Sequence, residues 1–169
     1  HDIYQIFIAE LKNTQKNINK ISNRHIQLNR DNKQINVDLL LFNLTGDLSE
    51  SPFLRRGDVL KIGYIELYSS IWGGVNRPQT YEYVPGETIL ELMNLAGGTT
   101  SRADKEKIDV TSFINGEKIT NHYSIIELAN ILVKPDDIVL VHEDNYKNRQ
   151  TIVKINGEIK FPGPYQVQF

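Results

Sequence analysis

A segment in the middle of this chain is written a second time near its carboxyl end. Ile71-Trp72-Gly73-Gly74-Val75-Asn76-Arg77-Pro78-Gln79-Thr80-Tyr81 aligns with Ile155-Asn156-Gly157-Glu158-Ile159-Lys160-Phe161-Pro162-Gly163-Pro164-Tyr165, 84 residues later. Ile, Gly, Pro and Tyr are identical in the two copies, and Val75 faces Ile159. A second pair, Phe53 to Ile62 and Leu132 to Val141, repeats at an offset of 79 with the same order of residue types: two apolar, one basic, a turn ending in Asp, then an apolar run. A repeat of this length divides the chain into small units, each with its own core. Residues 1–62 read as the back part of one unit, 63–147 as a complete unit, and 148–169 as the opening hairpin of a further one.

The complete unit carries the clearest local signals. Ile65 to Val75 is rich in Ile, Tyr and Val and ends at Gly73-Gly74, which suits a strand that bends. Tyr81 to Val84 alternates as a second strand, and Pro85-Gly86 turns the chain. Thr88-Ile89-Leu90-Glu91 has the spacing of a capping box, Ile89, Leu92, Met93 and Ala96 form one helical stripe, and Gly97-Gly98 ends it. Two strands follow around Asn115-Gly116, then a short helix capped at Ser124, then a last strand from Ile138 to Val141. The expected fold class is α+β, with a small mixed sheet crossed by one main helix.

Composition removes several function classes. The 19 Lys and Arg against 21 Asp and Glu leave no electrostatic footprint for nucleic acid. No apolar run approaches the length of a membrane span, and with no Cys there is no disulfide, thiolate metal site or thiol nucleophile. The chain opens on His1 and stops on Phe169 as though excerpted from a longer protein, so membrane attachment would lie in parts outside it.

The motif order resembles the SLBB family, the soluble ligand-binding β-grasp domains of bacterial polysaccharide export proteins. The residues that carry the likeness are Gly73 to Pro78 with Tyr81, Gly86-Glu87-Thr88-Ile89, Leu95-Ala96-Gly97-Gly98 and Lys134-Pro135-Asp136-Asp137-Ile138. Ile155 to Glu158 with Pro162 to Tyr165 matches the opening, and Leu54 to Val59 matches the closing turn. The chain departs from the pattern at Gln79 and Asp136, where glycines are expected, and the first unit lacks Ala-Gly-Gly. The resemblance implies tandem β-grasp units, a periplasmic setting, and partners drawn from copies of the chain in a ring or head-to-tail array, the export machinery and the polysaccharide. It supplies no catalytic residues to transfer.

Reading the residues for chemistry gives little that suits an enzyme. No phosphate loop, dinucleotide fingerprint or nucleophile elbow is present, and no cofactor or metal ligand set is implied. His25, His122 and His142 stand singly, Asp58 and Asp137 suit turns, and Glu87 and Glu91 suit the first turn of a helix. The basic stretch from Lys12 to Lys33 reads as a solvated face. Aromatic residues are the better lead. Trp72, Tyr81 and Tyr83, with Arg77 to meet an acidic sugar and Gly97-Gly98 near by, are the candidate ligand-binding set. Cross-strand packing is the competing account, favoured for Tyr81 because Tyr165 repeats it.

The expectation is therefore a non-enzymatic scaffold or lining segment of a polysaccharide export assembly. A small-ligand or sugar receptor with its pocket near Trp72 is the first alternative and a DNA-uptake module the second. The two incomplete ends are expected to complete each other, Ile152 to Ile155 pairing with the first unit within one chain in preference to a head-to-tail contact between chains.

Overall fold

A computed structural model describes residues 3–13, 20–144, 151–158 and 160–167. The elements run α1 (Ile3–Asn13), β1 (Ile21–Arg30), β2 (Lys33–Val37), α2 (Leu39–Thr45), β3 (Val59–Tyr64), β4 (Tyr68–Gly73), β5 (Gln79–Glu82), α3 (Ile89–Leu95), β6 (Ala103–Ile114), β7 (Glu117–Tyr123), β8 (Ile138–Glu143), β9 (Thr151–Ile155) and β10 (Gly163–Val167).

The middle unit forms around α3. Its capping box is made as the sequence spacing requires: Glu91 donates its amide to Thr88 Oγ1, and the Glu91 carboxylate accepts from the Thr88 amide. At the other end Gly97 and Gly98 take positive φ, so the Gly98 amide can reach back to the Met93 carbonyl. The stripe Ile89, Leu92, Met93 and Ala96 is buried, together with Ile71, Tyr81, Ile108, Val110, Val139 and Val141 from the sheet. That sheet has five strands in the order β5-β4-β8-β6-β7, with β4 parallel to β8 and the other pairs antiparallel. A mixed sheet crossed by one main helix is the α+β architecture read from the sequence. The second helix expected here is a single 3₁₀ turn, Glu127–Asn130, although Ser124 and Glu127 do bond each other.

The parallel joint fixes Gly73. Its φ is +82°, and a Cβ there would lie 2.1 Å from the Val141 carbonyl oxygen, so the backbones of β4 and β8 meet only at glycine.

The first unit repeats the second half of the middle one strand for strand. Its order is β2-β1-β3, matching β7-β6-β8. Ile26 pairs with Ile62 and Leu28 with Leu60, as Ile108 pairs with Val141 and Val110 with Val139. Both ladders break at the same place, between Ile21 and Ile26 and between Ala103 and Ile108. The Asp turns recur too: Asp58 accepts from the Arg55 amide and Asp137 from the Lys134 amide. A separate core of Ile3, Phe7, Ile26, Leu28, Val37 and Leu39 lies beneath this sheet.

Several expectations need correction. The first sheet runs on through Tyr64, with the Ile65 amide bonded to the Lys20 carbonyl, so β3 passes the boundary at 62 and β4 begins only at Tyr68. The boundary at 145–148 falls outside the described residues. The Lys12 to Lys33 stretch is no solvated face where it is described. Residues 21–30 form the central strand of the first sheet, with Ser22, Arg24, Ile26 and Leu28 turned inward. Among the described residues the expected pairing of Ile152 to Ile155 with the first unit is not made: β9 pairs with β10 in a hairpin of its own, and β3 is at the edge of its three-stranded sheet. The first unit finds its partner elsewhere, because the inward Arg24 of β1 bonds to the middle unit.

Two measurements check this account. Leu92→Ala should lower stability by about 2–5 kcal/mol in denaturant titration, since it empties a fully buried site. The second is a pH dependence. Hydrogen bonds from the Arg30 guanidinium hold the Asp58 carboxyl down at about 2, against 3.8 when unperturbed. Its stabilising contribution is complete above the unperturbed value and is lost as pH falls toward about 2, because the unfolded chain takes the proton first. The Tm difference between wild type and Asp58→Asn should shrink across that interval and stay constant above pH ~5.

Candidate functional site

Side chains of a sheet alternate between its faces, and residues paired across strands share a face. Ile71 points into the core, so Trp72 points away from it, and Trp72 is 44% exposed. Its partner on β8 is Leu140, whose partner on β6 is Asp109, whose partner on β7 is His122. One row across the outer face of the sheet therefore reads Trp72, Leu140, Asp109, His122. A second row reads Ser70, Ile138, Thr111, Thr120, with Thr111 and Thr120 hydroxyls 2.9 Å apart.

Asp109 is the polar centre of this face. Its two carboxylate oxygens meet His122 Nδ1 at 2.6 Å and His142 Nε2 at 2.8 Å. Partial burial pulls its pKa upward, but the hydrogen bonds from His142 and His122 outweigh that, and the carboxyl sits below its ordinary value. It is thus ionised at neutral pH, an acceptor flanked by two rings, and ill suited to act as a general acid. Among the described residues no cluster of three or more His, Cys, Asp and Glu is arranged to hold a metal ion. The histidines stood singly in the sequence because their partner lies 13 and 33 residues away. Only the strand register brings them together.

The expected ligand set is divided among four places. Trp72 is on the outer face. Arg77, Gly97 and Gly98 lie at the carboxyl end of α3, where Arg77 Nη2 donates to the Leu95 carbonyl and Asn76 Nδ2 to the Gly97 carbonyl. Tyr81 is buried and donates its hydroxyl to the Arg77 carbonyl, a packing role. Tyr83 lines a cleft of about 280 Å³ between the units, together with Ser22, His25, Tyr64 and Glu66.

A second cleft, about 510 Å³, opens between α2 and α3 and is lined by Arg24, Leu44, Arg77, Glu87 and Asn94, among others. Its floor is an ionic cluster that joins the two units. The buried Arg24 guanidinium donates through Nε to Asp38 at 2.9 Å, through Nη2 to Glu87 at 2.6 Å, and through Nη1 to the Glu82 backbone carbonyl at 2.9 Å. Ser22 Oγ donates to the Glu82 carboxylate at 2.5 Å. Burial pushes the Glu87 carboxyl above its ordinary value, and the hydrogen bond and charge of Arg24 oppose that shift. Glu87 thus does more than meet the helix dipole: it receives the first unit's buried cation.

Residues 70–121, from β4 into β7, match the family model of the SLBB domain. The middle unit is therefore similar to an SLBB domain. No curated protein matches the chain.

Removing one side of a buried ionic cluster leaves the other side desolvated without its countercharge. Arg24→Ala should cost about 3–5 kcal/mol in denaturant unfolding. Adding Glu87→Gln should return part of that loss, and the return would be missing if the two units did not meet through this pair.

Proposed function

We propose that this SLBB segment is a non-enzymatic scaffold of a periplasmic polysaccharide export assembly, and that the outer face of its five-stranded sheet touches the glycan. The observation that carries the reading is the exposed Trp72 in one row with Leu140, Asp109 and His122. An aromatic face stacks on the apolar side of a sugar ring. The Asp109 carboxylate two strands away, roughly 10 Å at the usual strand spacing, with His142 on the strand between and His122 on the strand beyond, can bond hydroxyls of the same chain of sugars. Such a surface is open and shallow, which suits passing contact with a long polymer better than capture of one small molecule. The contact with copies of the chain and with the export machinery belongs to the same reading, as does the periplasmic setting, and both come from the company SLBB domains keep.

A receptor reading has its own support in the two clefts between the units, one of them lined by Tyr64 and Tyr83. The two readings separate in one experiment. Acidic and neutral oligosaccharides are titrated into the full chain while the fluorescence of its single Trp and the heat are followed. The glycan-surface reading expects weak, saturable binding that Trp72→Ala abolishes and Tyr83→Ala leaves unchanged. Binding that survives Trp72→Ala and is lost in Tyr83→Ala would move the ligand into the cleft and overturn the surface reading.

A further inference from the structure

The smaller of the two clefts, the one lined by Tyr83, is built by the joint between the units. Every described residue of its lining lies between Ser22 on β1 and Pro85 after β5. Glu82, at the end of β5, is the member of that lining whose needs the protein leaves unmet. It pairs with Tyr68 of β4, one residue on from the inward pair Ser69 and Tyr81, so it points away from the middle core. A carboxylate on that face would ordinarily stand in water. Here the first unit closes over it, and the residue is 9% exposed.

The first unit satisfies only part of Glu82. Its backbone carbonyl accepts from Arg24, and its Oε1 accepts from Ser22 Oγ. Its Oε2 is buried and receives no hydrogen bond from the protein. Arg24 does not supply one, because its remaining donors are directed at Asp38 and Glu87. A buried carboxylate oxygen without a donor is unfavourable, and a donor entering the cleft would complete it.

The other walls define that donor. They hold a second carboxylate, the exposed Glu66, and two phenol rings, Tyr64 and Tyr83, with no Lys or Arg in the described lining. An anion finds no fixed countercharge there. A hard divalent ion wants about six oxygen ligands, and the described residues contain no metal-holding cluster of acids and histidines. The volume, about 280 Å³, is small for a run of sugars. An organic ammonium group suits each feature: its N–H donors meet Oε2, its charge sits among acids, and aromatic faces attract it. We infer that this cleft binds a small aliphatic diamine, one ammonium group meeting Glu82 and the other Glu66. The last torsion of a Glu side chain is soft, so a small turn presents Oε2 to the ligand while Ser22 keeps Oε1. Leu67 and the two rings cover the alkyl stem.

The inference is independent of the glycan surface, since Trp72 takes no part in this lining. Diaminobutane is titrated into the full chain by calorimetry, with butanediol and magnesium chloride in parallel. The diamine should bind saturably and raise Tm, because it binds the folded state, and neither control should do so. Glu82→Gln keeps an acceptor for Ser22 and removes the charge. It should melt no lower than wild type and bind the diamine at least about tenfold more weakly. Tyr64→Ala and Glu66→Gln alter exposed side chains. Each should weaken binding about threefold without moving the unliganded Tm, so the test stands even if Glu82→Gln does not fold. Trp72→Ala should bind the diamine as wild type does. An absence of saturable heat, equal affinity in Glu82→Gln, or unchanged affinity in both exposed variants overturns the inference. So does butanediol or magnesium binding as tightly as the diamine. Diamine binding lost in Trp72→Ala overturns it too and leaves the glycan surface standing, whereas a chain that binds the diamine and no oligosaccharide removes the glycan reading alone.

Discussion

The charged joint between the first two units is centred on one buried guanidinium, beside the Ser22–Glu82 bond and the α2 residues Leu40 and Leu41 packed on the middle core. Arg24 comes from the central strand of the first sheet and is met by Glu87, Asp38 and the Glu82 carbonyl. Taking an arginine out of water is unfavourable until its donors are satisfied, and a planar fork satisfied on three sides tolerates little rotation. The cluster therefore acts on orientation more than on net stability. It lies in the lining of the α2–α3 cleft and ties β1 of the first unit to Glu87, just before α3. A wholly apolar seam could be as stable, but it would permit the two sheets to slide.

The middle unit could be read almost completely from its residues, because its signals are local. A capping box, a helical stripe and a pair of glycines act over three to five residues, and the structure shows each of them. The first unit was less legible. Its central strand is rich in Asn, Arg, His and Gln, and polar residues in a strand look like a solvated loop until their partners are known. Ser22 and Arg24 are inward only because Glu82 and Glu87, some 60 residues away, complete them. That dependence is tertiary, and no local pattern reveals it.

The candidate surface was legible in part. Trp72 could be singled out because it stands among Tyr64, Tyr68, Tyr81 and Tyr83 around one hairpin and its repeat counterpart is Asn156, not an aromatic. Asp109 could not, since its meaning comes from a register that places it between two histidines on two other strands. The residues set beside Trp72 in the sequence, Arg77 and Gly97-Gly98, belong instead to the end of α3. A helix crossing one face of a sheet separates residues that are close in the chain, and strand alternation does the rest.

The link between β3 and β4 is only Ile65 to Leu67, and its shortness has a kinetic meaning. Parallel neighbours need a crossover of about a dozen residues or more. The β4–β5 hairpin, made immediately after β3, therefore cannot fold back onto it in the orientation that a complete unit uses. It must wait for β8, whose pairing with β4 spans nearly the whole middle unit. Non-local pairing of this kind is slow, and an idle strand edge in the meantime invites the wrong neighbour. Three residues of tether thus act as a proofreading device: they deny the nearest edge to the hairpin that would otherwise reach it first.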